Sequence, residues 1–370
     1  MKMRNNRIAF IGGRGILSNY GGVENSIRCI THEITTLKDC IIYVTGHGDK
    51  AWFESTVHPN KVKVISSPNW TNTIGHWCSC LFCLFYLLIM VRPGTIYFFA
   101  SGPNALCIIA RVFGIKTVAC LRAIDSKRDK WGIINRGILK FGEFSATRLA
   151  HVCTVNSIAM QRYFIARGAK TTYIPNGISS CAGGDKDLLE QFNIRRNGYI
   201  LFAARLDPVK RLDILLQAYA LLPVELRVPL IVAGGYSQSE EYEQGLKELA
   251  IPSVQFIGHI GEPLMSTLMD NCGIFVLPSV LEGMSNSLLS AMGAGRCIIC
   301  ADVPENADVV NRDKRVLYER DNTKALCAKL SIYLSNGDLR EEVGMQMRQL
   351  AEQEFSWNET AKSFLSLAAW

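Results

Sequence analysis

Short apolar runs alternate with helix-patterned segments along the whole chain, and the alternation happens twice over. The first series predicts strands at Arg7–Ile11, Cys40–Thr45, Lys61–Ile65, Thr95–Ala100, Lys116–Leu121, His151–Asn156 and Thr172–Ile174. Between them lie helices at about Glu24–Leu37, Asn104–Phe113, Arg136–Leu149 and Ser157–Ala166, and the apolar stretch Ile74–Val91. A Gly- and Ser-rich segment, Ile174–Asp187, then breaks the pattern. The second series predicts strands at Tyr199–Ala203, Leu230–Ala233, Val254–Ile257, Ile274–Leu277 and Cys297–Cys300, again with helices between. Strands that alternate with helices pair in parallel and are covered on both faces. The chain is therefore expected to be α/β with two doubly wound sheets. Its 370 residues also exceed what one core usually serves.

The net charge of +7 conceals an uneven distribution. Residues 1–180 hold 22 Lys and Arg against 8 Asp and Glu, whereas residues 181–370 hold 18 against 25. A basic half attracts nucleic acid, an anionic membrane or a phosphorylated substrate. Nucleic acid is disfavoured because the basic residues are spread over many elements, Lys127–Trp131 excepted, without interleaved aromatics. Thirteen scattered cysteines, many in apolar runs, fit a reducing compartment. The apolar run at the N-terminus is too short for a signal peptide, so the cytoplasm is expected. Cys78, Cys80 and Cys83 match no zinc-knuckle spacing, even with His76. Cys297 and Cys300 form a CxxC that falls on a predicted buried strand rather than at a helix start, where redox pairs sit. Ile74–Val91 has eighteen residues without a charge, the lower edge of a membrane span. Inside an α/β pattern it reads instead as a buried or interfacial helix that touches lipid.

Three loops carry the candidate chemistry. In Leu281–Gly295 the carboxylate of Glu282 follows a predicted buried strand, and small and polar residues then lead into a helix with Leu288, Leu289 and Met292 at helical spacing. A helix start in this position binds anions through its backbone N–H groups, and a carboxylate beside it accepts hydrogen bonds from sugar hydroxyls. In Ala203–Asp213, Arg205 and Lys210 follow another strand, and two cations there suit a diphosphate. The glycines at 12, 13 and 15 resemble a dinucleotide fingerprint only loosely, because Ser18 stands where a third glycine belongs. The loop runs on to Gly21 and Gly22, which allow close approach to the backbone before a helix.

With these residues in place, the chain resembles the family 4 retaining glycosyltransferases of the GT-B fold. The matching runs are YGGVE, IPNG, ARLDPVKRLDILLQAY, FIGHI, LPSVLEGMSNSLL and FSWNETAKSF. GGRGILSNYGGVE and DSKRDKWG further resemble a rhamnosyltransferase-like branch of bacterial surface polysaccharide synthesis. The resemblance implies two Rossmann-like domains facing across a cleft: an acceptor-side domain over 1–178, a nucleotide-sugar domain over 179–353, and a last helix over 354–370 crossing back to the first. It implies that Arg205 and Lys210 hold the donor diphosphate and that Glu282 binds hydroxyls of the transferred sugar. Backbone groups around Ser285, Asn286, Ser287, Leu288 and Leu289 would receive phosphate and ribose. His259 and Ile260 would lie against the base, and Gly21 and Gly22 would line the phosphates. The second Glu of the family pattern is Ser290 here, which removes a charged acceptor worth about 1.5–3 kcal/mol. Arg122 stands where many relatives have His or Asp.

The implied reaction moves a hexose or deoxyhexose from a nucleotide-sugar to a saccharide, lipid-linked through a polyprenyl diphosphate. The nucleotide-sugar is a co-substrate, and no cofactor or metal is expected, since Arg205 and Lys210 replace the metal charge. The expected location is cytoplasmic, peripheral on the inner face of the membrane. The alternative is a nucleotide-sugar-binding protein of the same fold with impaired catalysis.

Overall fold

The computed structural model describes residues 6–13, 21–46, 61–66, 73–127, 132–178, 187–235 and 240–369. The chain divides into two compact units, Met1–Gly177 with Trp357–Trp370, and Ile178–Ser356.

The first unit holds seven parallel strands: β1 (Arg7–Gly12), β2 (Ile41–Gly46), β3 (Val62–Ser66), β4 (Thr95–Phe99), β5 (Lys116–Leu121), β6 (Val152–Val155) and β7 (Thr172–Tyr173). Their order is β3-β2-β1-β4-β5-β6-β7, so the chain reverses direction across the sheet between β1 and β4. The central strands are buried along their length because helices cover both faces. On one face the helix Gly22–Leu37 packs with Trp357–Ser366 around Phe10, Tyr97 and Phe99. Hydrogen bonds tie that last helix and its tail into the unit, among them one from Asn358 Nδ2 to Glu33 Oε2 at 3.2 Å. The Tyr97 hydroxyl donates to Phe364 O at 2.5 Å, Thr360 Oγ1 to Pro175 O at 2.9 Å, and Ala369 N to Thr95 Oγ1 at 2.8 Å.

The other face is covered by helices Thr73–Tyr86, Cys107–Val112 and Ile158–Ile165, and the helix Ile133–Phe144 packs outside them against Ser101–Asn104. The apolar stretch is a helix with one side in the core, through Cys80, Cys83, Leu84 and Leu88, while Phe82, Phe85, Tyr86, Ile89 and Met90 are exposed. Its end, Leu87–Val91, is a π-helical turn closed by Arg92 at φ 50°. Among the described residues no helix is long and apolar enough to cross a membrane. The helix expected at Asn104–Phe113 is two pieces, Ser101–Asn104 and Cys107–Val112, separated by a turn at Ala105 and Leu106. The one expected at Arg136–Leu149 starts earlier, at Ile133, and ends in a π-helical turn, Ser145–Leu149.

The second unit holds β8 (Ile200–Ala203), β9 (Leu230–Ala233), β10 (Val254–Gly258), β11 (Ile274–Leu277), β12 (Cys297–Ala301) and β13 (Leu317–Tyr318), all parallel. Their order is β10-β9-β8-β11-β12-β13. The chain builds outward from β8 to β10, then returns to place β11 on the other side of β8. At such a reversal the loops after the two neighbouring strands diverge and open a crevice for ligands. The two-residue β13 is too short to show a period, and the sequence did not reveal it.

Candidate functional site

The two loops that leave the reversal in the second sheet carry the predicted cations and the predicted carboxylate. After β8, Pro208–Lys210 form a 3-10 turn, with proline at the start where its missing N–H costs nothing. Arg211, at φ 52°, closes the turn and opens the helix Leu212–Ala220. Arg211 is held by Asp213, with Nη2 to Oδ2 at 3.0 Å, and by Asp321. Arg205 is a third exposed, and its nearest carboxylate is Asp207 at 3.9 Å.

After β11, the chain passes through Pro278 and Ser279 to Glu282. Val280 N donates to Val209 O at 3.0 Å, which pins the two loops together through their backbones. Lys210 Nζ then donates directly to Glu282 Oε1. The side chains of this ion pair are only 15% and 9% exposed. The sequence assigned the two residues separate tasks, one to phosphate and one to sugar. The fold joins them in one ion pair. Two Nζ protons and the second carboxylate oxygen are left for a ligand that carries both phosphate and hydroxyl groups.

Ser285 caps the helix Asn286–Gly293, its Oγ accepting from Leu288 N at 3.3 Å, and Ser285 O accepts from Leu289 N at 3.1 Å. The N–H groups of Leu288 and Leu289 are therefore already engaged, and both side chains are buried. Asn286, Ser287 and Ser290 are partly open, and Ser287 and Ser290 share a face at i, i+3 spacing. Among the described residues the Ser290 hydroxyl shows no hydrogen-bond partner. His259 and Ile260 follow β10, at the sheet edge and two strands from β8.

In the first unit, Gly21 sits at φ 131° before the helix start, a conformation that L side chains rarely adopt. The buried carboxylate of Glu24 lies against Gly13 and Gly21, so a Cβ on Gly21 would meet its Oε2. An acid in the first turn complements the helix dipole and disfavours a second anion beside it. The sequence assigned phosphates to Gly21 and Gly22 and did not foresee Glu24. Tyr20 and residues 14–18 of the same loop, residues 128–131 of the basic run and residues 179–186 of the linker lie outside the described residues.

Arg122 follows β5 and is 8% exposed. Its Nη1 donates to Asn176 Oδ1 at 2.9 Å, and its guanidinium lies 4.8 Å from the Phe99 ring and 5.7 Å from that of Phe364. Nε and Nη2 have no hydrogen-bond partner among the described residues. Burial lowers its pKa to about 10, so it remains a cation at neutral pH. Asn176, the asparagine of IPNG, thereby joins Arg122 to Ser26 in the second turn of the glycine-started helix. Nothing local in the sequence marks that contact, which spans 54 residues.

Among the described residues no group of cysteines is placed to hold a metal ion. Cys78 is exposed whereas Cys80 and Cys83 are buried, and Cys297 and Cys300 lie buried on β12. Burial pushes the Cys297 and Cys300 thiols far above their ordinary range and that of Cys80 up to about 12. Because the thiolate is the reactive form, iodoacetamide at pH 8 is expected to label Cys78 in the native protein and spare Cys297 and Cys300. Modification of the CxxC before unfolding, read by mass spectrometry, would contradict that.

Residues 186–350, within the second unit, match the family described as "Glycosyl transferases group 1". Among curated relatives, the O-antigen chain mannosyltransferase B of Escherichia coli is 28% identical over 193 residues, covering 50% of this chain and 48% of that protein. The N-acetylgalactosamine-N,N'-diacetylbacillosaminyl-diphospho-undecaprenol 4-alpha-N-acetylgalactosaminyltransferase of Campylobacter jejuni is 25% identical, over 67% of this chain and 68% of that one. The chain thus spans about half to two thirds of these relatives' lengths. Among solved structures, the sucrose-phosphate synthase of Thermosynechococcus elongatus superposes with a TM-score of 0.81, 16% identity and 98% of both chains covered. Anabaena HepE with UDP and glucose gives 0.77 and 19%, covering 97% of this chain and 98% of that one. These likenesses place the two parallel-sheet units in the GT-B glycosyltransferase fold.

Proposed function

We propose that this chain, whose residues 186–350 match the group 1 glycosyltransferases, transfers a hexose or deoxyhexose from a nucleotide-sugar to a saccharide of bacterial surface polysaccharide, with retention at the anomeric carbon. The observation that carries this reading is the Lys210–Glu282 pair on the two loops where the strand order of the second sheet reverses. The donor diphosphate takes the remaining Nζ protons of Lys210 and the guanidinium of Arg205. Sugar hydroxyls donate to Glu282. As the bond between the anomeric carbon and the diphosphate oxygen breaks, negative charge grows on that oxygen, and the two cations stabilise it. The acceptor hydroxyl bonds to the same face of the sugar, and its proton passes to the departing diphosphate.

Some relatives bear names that support the substrate classes. The Campylobacter enzyme's acceptor is a diphospho-undecaprenol, and HepE was solved with UDP and with UDP-glucose. The basic first half and the exposed apolar residues of Thr73–Val91 favour a lipid-linked acceptor met at a membrane surface. Screening nucleotide-sugars by thermal shift tests the donor class, since a ligand at 100 times its Kd stabilises by about 2.7 kcal/mol.

The unpartnered Ser290 favours a second reading, a nucleotide-sugar-binding protein with weakened catalysis. Ser290→Glu restores a charged acceptor for ribose and is expected to tighten nucleotide binding roughly 10- to 100-fold by calorimetry. Unchanged affinity would remove Ser290 from the ribose site. Transfer or donor hydrolysis by the unaltered chain would exclude the second reading.

A further inference from the structure

Twelve of the eighteen exposed large hydrophobic residues among those described belong to one helical layer of the first unit, between Phe82 and Ile165. Ile74–Val91, which the sequence marks, supplies five of them. The most exposed pair lies elsewhere, at Ile133 (94%) and Ile134 (81%), which begin the helix Ile133–Phe144. This helix turns large apolar residues outward as well as inward, with Ile138 and Leu139 partly buried. Gly142 is its only buried residue, pressed so closely on Ser101 O that no Cβ would fit. Glu143 accepts from Ser126 N and Oγ at 3.1 and 2.8 Å on the same inner side. Ile133, Gly137, Phe141 and Phe144 recur at i, i+4, i+8 and i+11, so they form one outward stripe, and a Cβ at Gly137 would meet nothing within 4 Å.

We propose that this stripe seats the first unit on an anionic lipid bilayer, with Ile133, Ile134, Phe141 and Phe144 entering the acyl boundary. The inference rests on the membrane-surface part of the functional reading and adds the element that makes the contact. Charge selects the occupant. Residues 73–170 carry thirteen Lys and Arg against three Asp and Glu, and Lys140 is exposed on the stripe itself. A second copy of the chain would bring the same positive charge against this face. An anionic bilayer neutralises it through its lipid headgroups. An outward apolar stripe flanked by cations is also the composition of helices that lie in a bilayer interface.

The test is sedimentation of the full chain with vesicles of equimolar phosphatidylglycerol and phosphatidylcholine, and with phosphatidylcholine alone. The unaltered chain is expected to bind the anionic vesicles and to be released by salt. Ile133→Ser with Ile134→Ser is expected to lower partitioning at least about tenfold while leaving the melting temperature in place. Val224→Ser, a change at a residue 73% exposed in the second unit, is expected to leave partitioning alone. Should the double variant misfold, Lys140→Glu tests the same face through charge. The proposal is overturned if the chain ignores anionic vesicles, if neither stripe variant weakens binding, or if the double variant instead converts a dimer to a monomer. Lys210→Ala separates the two readings: full transfer activity in that variant sinks the proposed donor site, while its vesicle binding reports on the stripe alone.

Discussion

Lys210→Ala is expected to lower kcat/KM for the nucleotide-sugar at least about 100-fold, since removing one preorganised group that stabilises developing charge costs roughly 2.7–4 kcal/mol. The same change leaves the nearly buried Glu282 carboxylate without its cation, which costs about 3 kcal/mol of stability. The two losses separate in the double variant Lys210→Ala with Glu282→Gln. Neutralising the orphaned carboxylate is expected to recover most of the stability and none of the turnover. Glu282→Gln alone is expected to lose activity and some stability, because Gln accepts sugar hydroxyls without charge and leaves the nearly buried ammonium without its counter-charge. Steady-state rates beside urea unfolding of the three variants decide the matter. If Lys210→Ala turns over donor as the unaltered chain does, the diphosphate is stabilised elsewhere.

Phe364→Ala is expected to destabilise the first unit by about 3–5 kcal/mol, the usual range for a buried Phe truncated in a core. Phe364 is fully buried, stacks on Phe99 at 5.9 Å, meets Tyr97 at 5.4 Å and lies beside the Arg122 guanidinium. One effect works in the opposite direction. The cavity would open next to Nε and Nη2 of Arg122, and water admitted there would hydrate two donors that have no partner among the described residues. The lower half of the range is therefore expected. Hydrogen exchange should speed up in β4 and β5 and remain unchanged in β8 and β11. A loss below about 1 kcal/mol would mean that the last helix is not part of this core.

Much of this architecture was legible because strand patterning is local. Runs such as Ile274–Leu277 and Leu230–Ala233 are apolar throughout, as strands buried on both faces must be, and the structure places strands there. Glu282, Arg205 and Lys210 were legible as residues just past strand ends, where open α/β sheets bind ligands. Other features were hidden from any local window. Ser285 is taken up by its own helix cap. Glu24 fills the glycine turn that had been assigned to phosphate. The pairing of Arg122 with Asn176 and the outward face of Ile133–Phe144 depend on neighbours distant in sequence, and amphipathic spacing does not say which side meets solvent.

The sequence by itself determined two runs of strand and helix, because backbone periodicity and side-chain alternation are set over a few residues. It also placed the cations and the carboxylate on loops that follow strands. Only the tertiary structure decided that β11 lies beside β8, and so that Lys210 meets Glu282 across 72 residues of chain. It likewise decided that Trp357–Trp370 join the first unit, with Phe364 against Arg122. Strand order and helix docking are settled by which distant apolar surfaces bury one another, and no local pattern encodes that choice.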